Sequence, residues 1–397
     1  MTHKLLLLGD SNFTKELILN ARKLGAYVIV SDNRSTQESP DKLLADEYWD
    51  VDINDLDELE KRCKSEGVTN VYAGVHETCL LRAMELSERL GLDYYTNKET
   101  WNLIGDKVLF KEQCRKYNVP VAEDYMLQDG MTEADVDALN MNYPVIVKPI
   151  DGSSGLGITI CHNSAEVLEG YKNARLYSER IFAEKYIDGT MVSMYYCFDD
   201  EGRAHLFATY DDYKMTVFRI FSPYEEFIRK NVNPNVEKML YELGIRRGFG
   251  FLQMMMDSDN NCAVLEMNYR LAGALVGEQI NNLLCQMVLR DMFGMERLIP
   301  QLDLHMHAIL LYAKAGTIAK IEGLDEIKAR EDYLMEAPWR KVGDTIENNT
   351  GLRQVVTTLF FNNTTEERQK ENIEFVYDTI KFVGTDGENI LLNKLAM

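Results

Sequence analysis

The sequence predicts an α/β N-terminal domain on a parallel sheet, followed by a larger α+β region. Three observations predict it. Short apolar runs in residues 1–95 alternate with helical patterns, the arrangement of βαβ units. A β-rich run at Tyr143–Ile160 is interrupted by a glycine- and serine-rich loop. Phe251–Met256 and Ala263–Met267 are apolar runs joined by the polar turn Asp257–Asn261, which reads as a hairpin.

Within residues 1–95, Lys4–Leu8, Tyr27–Val30 and Val71–Val75 read as strands of a Rossmann-like sheet. Thr14–Leu24, Asp55–Ser65 and Cys79–Leu90 read as helices, the first and last closed by Gly25 and Gly91. The first turn, Gly9-Asp-Ser-Asn-Phe13, lacks the GxGxxG pattern, which leaves Asp32 after the second strand as the one hint of a dinucleotide site. Glu77 follows the third strand, where open α/β sheets bind ligands. It reads equally as a substrate contact or a helix-entry charge.

Thr96-x-x-Glu99 is a capping-box pattern, and the next helix carries Lys107 and stops at Asn118-Val-Pro120. A strand then ends in Lys148-Pro149, followed by Gly152, Ser153, Ser154, Gly155 and Gly157 and a second strand, Ile158–Ile160. Glycines let backbone N–H groups crowd around phosphate oxygens, serines add hydroxyl donors, and Lys148 supplies a point charge. No GK[ST] closes the loop and a strand follows it, so it is not a Walker loop. Taken alone, the stretch reads equally as a hairpin with a flexible tip. After a helix at Ser164–Arg175, the strand Ile181–Ile187 offers Glu184 and its main chain to a purine edge. Val192–Phe198 and Ala204–Tyr210 are strands, Lys214 and Arg219 are candidate phosphate or substrate contacts, and a helix at Pro234–Leu243 leads into the hairpin.

At the hairpin's end, Glu266, Asn268 and Arg270 alternate, so a strand presents them on one face, and Gln253 can meet them from the neighbouring strand. A carboxylate and two amide oxygens suit Mg²⁺, which takes oxygen ligands and keeps phosphate oxygens and waters. Arg270 beside it would face an anion. By itself the triplet also occurs on ordinary surface strands.

The formal charge of −21 opposes a sequence-independent nucleic-acid or anionic-membrane surface, because phosphate attraction needs a basic field. No run approaches the ~18 apolar residues of a membrane span. Leu5–Leu8 is too short for a signal-peptide core, so a cytoplasmic chain is expected. The seven cysteines are scattered without a CxxC pair and read as reduced thiols. His305-Met-His307 enters an apolar run with no third ligand in sight and reads as structural.

Lys107, Lys148 with its Gly/Ser loop, Glu184-Lys-Tyr-Ile187 and Gln253…Glu266-x-Asn268-x-Arg270 occur in the order and context of the ATP-grasp superfamily, which the chain resembles over nearly its whole length. The resemblance implies three parts: an N-terminal domain at 1–95, an ATP-grasp domain at 96–300 with two subdomains clasping ATP, and a C-terminal subdomain at 301–397 completing it. Members phosphorylate a carboxylate to an acyl phosphate, which an amine or sometimes a thiol attacks. Carried over, Lys107 and Lys148 resemble the phosphate-contacting lysines, and Ser153, Ser154, Gly155 and Gly157 the loop closing on the triphosphate. Glu184 resembles the acceptor of the adenine amino group, with backbone contacts from Lys185 and Ile187. Glu266 and Asn268 match the Mg²⁺ ligands, Gln253 stands at the third ligand position, and Arg270 matches the arginine that steadies the transferring phosphoryl group.

The cofactors implied are ATP and Mg²⁺, with Mn²⁺ as a substitute. The partners implied are a small carboxylate and an amine, with no nucleic acid and no membrane; relatives are often dimers, which leaves a homodimer as an open expectation. Three positions depart from the usual pattern. Gln253 replaces an acid, as in carbamoyl phosphate synthetase large subunits, which also read similarly through EMNxR. Met191 replaces an acid after Gly189, and Leu271-Ala-Gly273 replaces the arginine and double glycine of many amino-acid ligases. Residues 300–397 offer the strand HAILLYA and a helix at Thr365–Val383. The chain therefore reads as a single-grasp carboxylate–amine ligase. Two alternatives stay open: activation of bicarbonate or carbamate, as in carbamoyl phosphate synthetase, and a non-catalytic ATP-binding subunit or sensor.

Overall fold

Leu5–Leu8 are buried on both faces of β1 (Lys4–Leu8), the pattern of a central strand in a covered parallel sheet. The computed structural model describes residues 3–11, 13–150, 156–213, 217–220, 223–272, 278–300, 306–347, 351–362 and 365–393. The remaining N-terminal strands are β2 (Tyr27–Ser31), β3 (Glu47–Trp49) and β4 (Asn70–Ala73), all parallel in the order β3-β2-β1-β4. Helices α1 (Thr14–Lys23) and α2 (Leu56–Glu66) make crossovers between these strands, and α3 (Glu77–Leu90) follows β4. The edge strand β3 escapes a sequence reading because its three residues carry no alternation. Loops leaving β1 and β4 meet at the sheet's C-terminal edge. A Cβ on Gly74 would lie 1.9 Å from the Ser11 hydroxyl, so only glycine permits this approach.

Helix α4 (Lys98–Gly105) is capped by Asn97, whose side chain accepts from the Thr100 N–H, and not by Thr96 as the capping-box pattern predicts. Helix α5 (Lys107–Lys116) follows, with the Asp106 carboxylate accepting from the N–H groups of Val108 and Leu109. Strands β5 (Asp124–Leu127), β6 (Val145–Pro149), β7 (Thr159–Cys161) and β8 (Ile181–Lys185) form an antiparallel sheet ordered β5-β8-β6-β7, backed by α6 (Glu133–Asp137) and α7 (Ser164–Ala174).

The largest sheet combines β9 (Thr190–Phe198), β10 (Ala204–Tyr213), β11 (Val217–Ile220), β12 (Phe249–Met256) and β13 (Cys262–Asn268) with later strands. Helices α8 (Glu225–Asn231) and α9 (Asn233–Glu242) cover one face, and α10 (Glu278–Met292) packs against α1. The order is β13-β12-β9-β10-β11-β14-β18-β16, where β14 is Met306–Ala313, β16 Tyr333–Pro338 and β18 Val355–Asn362. Position 300 thus falls between two paired strands of one sheet, β11 and β14. A small sheet of β15 (Gly316–Glu322), β17 (Thr345–Ile346) and β19 (Lys381–Gly384) packs beside it. The predicted helix to Val383 is corrected here: α12 (Glu366–Thr379) stops at Ile380, whose backbone is extended, and Lys381–Gly384 pairs with β15. Phe382 buries completely in that pairing, which outweighs another helical turn.

Candidate active site

The hairpin β12–β13 brings three of the predicted metal ligands together. Gln253 and Glu266 are directly paired across the strands, beside a bulge between Gln253 and Met254. Asn268 donates from Nδ2 to Glu266 Oε1 at 3.2 Å and to Gln253 Oε1 at 3.5 Å. Its Oδ1 accepts from Arg270 Nη2 at 3.0 Å. Arg270 also lies 5.7 Å above the Phe251 ring and places Nε 3.5 Å from Glu77 Oε1. Glu77 opens α3 at the C-terminal edge of the parallel sheet, so the N-terminal region meets the hairpin at this arginine.

With the Asn268 amide turned to present Oδ1 in place of Nδ2, the set becomes one carboxylate and two amide oxygens and fits Mg²⁺ that draws the rest of its shell from phosphates and water. Among the described residues no group of three His, Cys, Asp or Glu gathers to hold a metal, so the amide oxygens of Gln253 and Asn268 are essential to the fit. The Met191 position also finds its place: Gln253 donates from Nε2 to the Met191 sulfur at 3.5 Å.

A second cluster lies on the β5–β8 sheet. Glu184 pairs in register with Asp124 on one side and Ile146 on the other; Lys148, two residues from Ile146, shares their face. Both oxygens of Glu184 are taken, Oε1 by the Lys148 ammonium and Oε2 by that of Lys111. The two ammoniums also sit over the Phe182 ring, at 5.1 and 5.0 Å. Burial pushes the Glu184 carboxyl upward, but Lys148 and Lys111 outweigh it and hold the group below the usual carboxylate range. Burial pushes Lys148 down, and Glu184 offsets only part of that because two cations share one anion.

Helix α5 connects the clusters. Lys107 in its first turn places Nζ 3.9 Å from Glu266 Oε2, and Lys111, four residues on and on the same helix face, reaches Glu184. Lys111 escaped the sequence reading. Its signal was a lysine in the apolar stripe between Phe110 and Cys114, both buried.

Other predicted residues divide. Lys185 donates its backbone N–H to the Glu123 carbonyl and its ammonium to the Tyr143 carbonyl. Ile187 lies just beyond β8, half-buried. Gly157 has φ +74°, and a Cβ there would meet Tyr177 at 2.7 Å, so packing of the loop's foot against α7 requires glycine. Ser153, Ser154 and Gly155 fall outside the described residues, as do Lys214, Gly273 and His305.

Arg219 is a correction. It pairs with the buried Asp211 on its own hairpin, one residue out of step with the Gln253–Ser193–Tyr210 row. Strand alternation therefore aims it at the face opposite the metal ligands. Asp32 is likewise occupied, accepting from the Asp10 N–H at 2.8 Å and from the Arg34 guanidinium, which removes the hint of a dinucleotide site. His307 is buried and stacked on Phe361 at 5.4 Å, and burial pushes its imidazole down to about 4.

Residues 106–202 match the family described as carbamoyl-phosphate synthase L chain, ATP binding domain. A formate-dependent phosphoribosylglycinamide formyltransferase of Prochlorococcus marinus subsp. pastoris is 25% identical over 172 residues, 43% of this chain and 43% of that protein. The chain thus spans less than half the length of that curated relative. The L-amino acid ligase of Bacillus licheniformis superposes with a TM-score of 0.75 at 17% identity, covering 96% of this chain and 98% of that one. The biotin carboxylase domain dimer of Hydrogenobacter thermophilus 2-oxoglutarate carboxylase, in complex with MgADP, ADP and bicarbonate, gives 0.74 at 18% identity over 97% and 91%. The chain thus carries a segment that matches this ATP-binding domain, within a fold shared with the L-amino acid ligase and the biotin carboxylase domain.

Proposed function

We propose that this chain is an ATP- and Mg²⁺-dependent ligase that phosphorylates a small carboxylate and joins it to an amine. The observation that carries the reading is the convergence of Lys107, Gln253, Glu266, Asn268 and Arg270 at one end of a hairpin that also meets Glu77. In this reading the β5–β8 sheet and the large sheet are the two subdomains that clasp the nucleotide. Residues 1–95 contribute the substrate-facing edge, and the strands after 301 complete the large sheet.

Lys107 and Lys148 bind the phosphates, and Ser153, Ser154, Gly155 and Gly157 belong to the loop that covers them. Glu184, the Lys185 carbonyl and the Ile187 backbone take the adenine edge. Glu266 and Asn268, with Gln253 as third ligand, would hold Mg²⁺, which would supply charge neutralisation on the phosphate oxygens. The substrate carboxylate attacks the γ-phosphorus, the bond to the bridging β,γ-oxygen breaks, and ADP leaves. Arg270 turns from Asn268 and Glu77 to the transferring phosphoryl group, so that charge is met by a positioned guanidinium. The amine then attacks the acyl carbon, loses a proton, and inorganic phosphate departs with the electron pair. Excluding water protects the acyl phosphate meanwhile.

The test is turnover of Mg-ATP with pooled small carboxylates and hydroxylamine, followed by ³¹P NMR. ADP, phosphate and a hydroxamate are expected; AMP with pyrophosphate overturns the mechanism. A second reading is favoured by Gln253 together with the family matched by residues 106–202: activation of bicarbonate or carbamate. ADP formation driven by bicarbonate alone would select it. ATP binding without turnover on any acid would leave a nucleotide-binding subunit.

A further inference from the structure

We propose that Lys111 is a positioning residue of the nucleotide site: it is the permanent counter-charge of Glu184, holding that carboxylate ionised and oriented when Lys148 turns to a phosphate. The inference rests on the reading that this cleft binds ATP. Glu184 and Lys111 are 2% and 1% exposed, whereas the Lys148 side chain keeps 12% of its surface open. Lys148 is therefore the cation with access to a ligand, and Lys111 is sealed. Lys111 is fixed from its other side as well, with Nζ 3.3 Å from Asp124 Oδ2 and Asp124 held by Arg115 at 2.6 Å. Lys107 is a further cation near Lys148.

Were Lys148 the only partner, its move to a phosphate would abandon a buried carboxylate, and such a group takes up a proton to escape its charge. A protonated Glu184 would no longer distinguish an amino group from a carbonyl on the bound base. With Oε2 pinned by Lys111, departure of Lys148 leaves Oε1 as an oriented anionic acceptor. It favours the 6-amino group of adenine and repels the 6-oxo group of guanine.

The experiment is calorimetric titration of the full chain with ATP and with GTP, in buffers of different ionisation heat, which counts protons taken up per nucleotide. Wild type and Lys111→Arg are expected to bind ATP with little proton uptake. Lys111→Met should take up a substantial fraction of a proton near pH 7, bind ATP more weakly as pH rises, and lose about tenfold of its preference for ATP over GTP, the scale of one charge-assisted hydrogen bond. Adding Glu184→Gln to Lys111→Met should abolish the uptake. Lys111→Gln, which retains a donor without the charge, carries the same test should the methionine variant not fold. A folded Lys111→Met or Lys111→Gln protein with the wild-type proton count and ATP preference overturns the inference. Failure of the wild type to bind ATP overturns instead the reading on which it stands.

Discussion

Replacing Glu184 by glutamine should damage the fold of the β5–β8 sheet before it damages chemistry. The substitution leaves the ammoniums of Lys111 and Lys148 facing each other across the Phe182 ring without the anion they share. Removing one partner of a buried ion pair costs about 3–5 kcal/mol, against about 5–15 kcal/mol of total stability for a typical domain. For a cooperative unit of 150–250 residues, about 2–4 °C per kcal/mol converts this to a loss of about 6–20 °C in Tm. The pH dependence gives an independent check. Glu184, held below its usual range, contributes stability above its unfolded pKa that is lost as pH falls. Lys148 is displaced downward, so above its folded pKa the unfolded chain binds the extra proton and stability rises with pH. In Glu184→Gln the first contribution vanishes and the second grows, so the variant should recover part of its Tm between pH 7 and pH 9. The assay is scanning calorimetry at both pH values. A loss of under about 2 °C at pH 7, or no alkaline recovery, would refute the claim that the lysines depend on this carboxylate.

Arg270→Ala should lower kcat about 10²–10³-fold, the scale for losing one positioned donor to a developing charge, while calorimetry shows ATP binding retained; an unchanged ADP-forming rate removes Arg270 from the mechanism. Gln253→Glu adds a second carboxylate beside Glu266, so the Mg²⁺ concentration for half-maximal activity should fall, and a rise would show that the position holds no metal. Gly157→Ala places a Cβ at φ +74° against Tyr177, which should cost about 1–3 kcal/mol in urea unfolding; a neutral result would mean the loop's foot can shift.

Much of the fold was legible because its signals are local. Alternation of strand and helix in residues 1–95, closed by Gly25 and Gly91, needs no tertiary information, and Gln253, Glu266, Asn268 and Arg270 share a face through strand periodicity alone. What was not legible depends on burial. A lysine at position 111 looks like any solvated helix cation until α5 is laid against the β5–β8 sheet, and Arg219 looks like a phosphate contact until register fixes its face. Lys381–Gly384 lost its helical pattern to a partner strand far away in sequence, β15.

If the cleft binds ATP as proposed, its charges answer how a strongly acidic chain receives a triphosphate. Lys148 rests on Glu184, Lys107 faces Glu266, and Arg270 lies between Asn268 and Glu77. Each cation is near an anion or amide oxygen of the same site, so an arriving nucleotide exchanges one set of partners for another. Exchange lowers the net gain from any single phosphate contact, because a protein–protein ion pair is lost when a protein–phosphate pair forms. A lone phosphate that drew Lys107 away would leave Glu266 without its facing cation. In the proposed reading, a nucleotide with its metal replaces several at once: the base edge satisfies Glu184, the metal satisfies Glu266, and the phosphates satisfy the lysines. Discrimination for a complete Mg-nucleotide over simpler anions then follows from the pairing itself. It should weaken in Glu266→Gln, where Lys107 no longer faces a carboxylate: affinity for inorganic pyrophosphate without metal should rise relative to Mg-ATP. Competition binding with a fluorescent nucleotide measures that ratio, and an unchanged ratio would mean the carboxylate does not set the exchange.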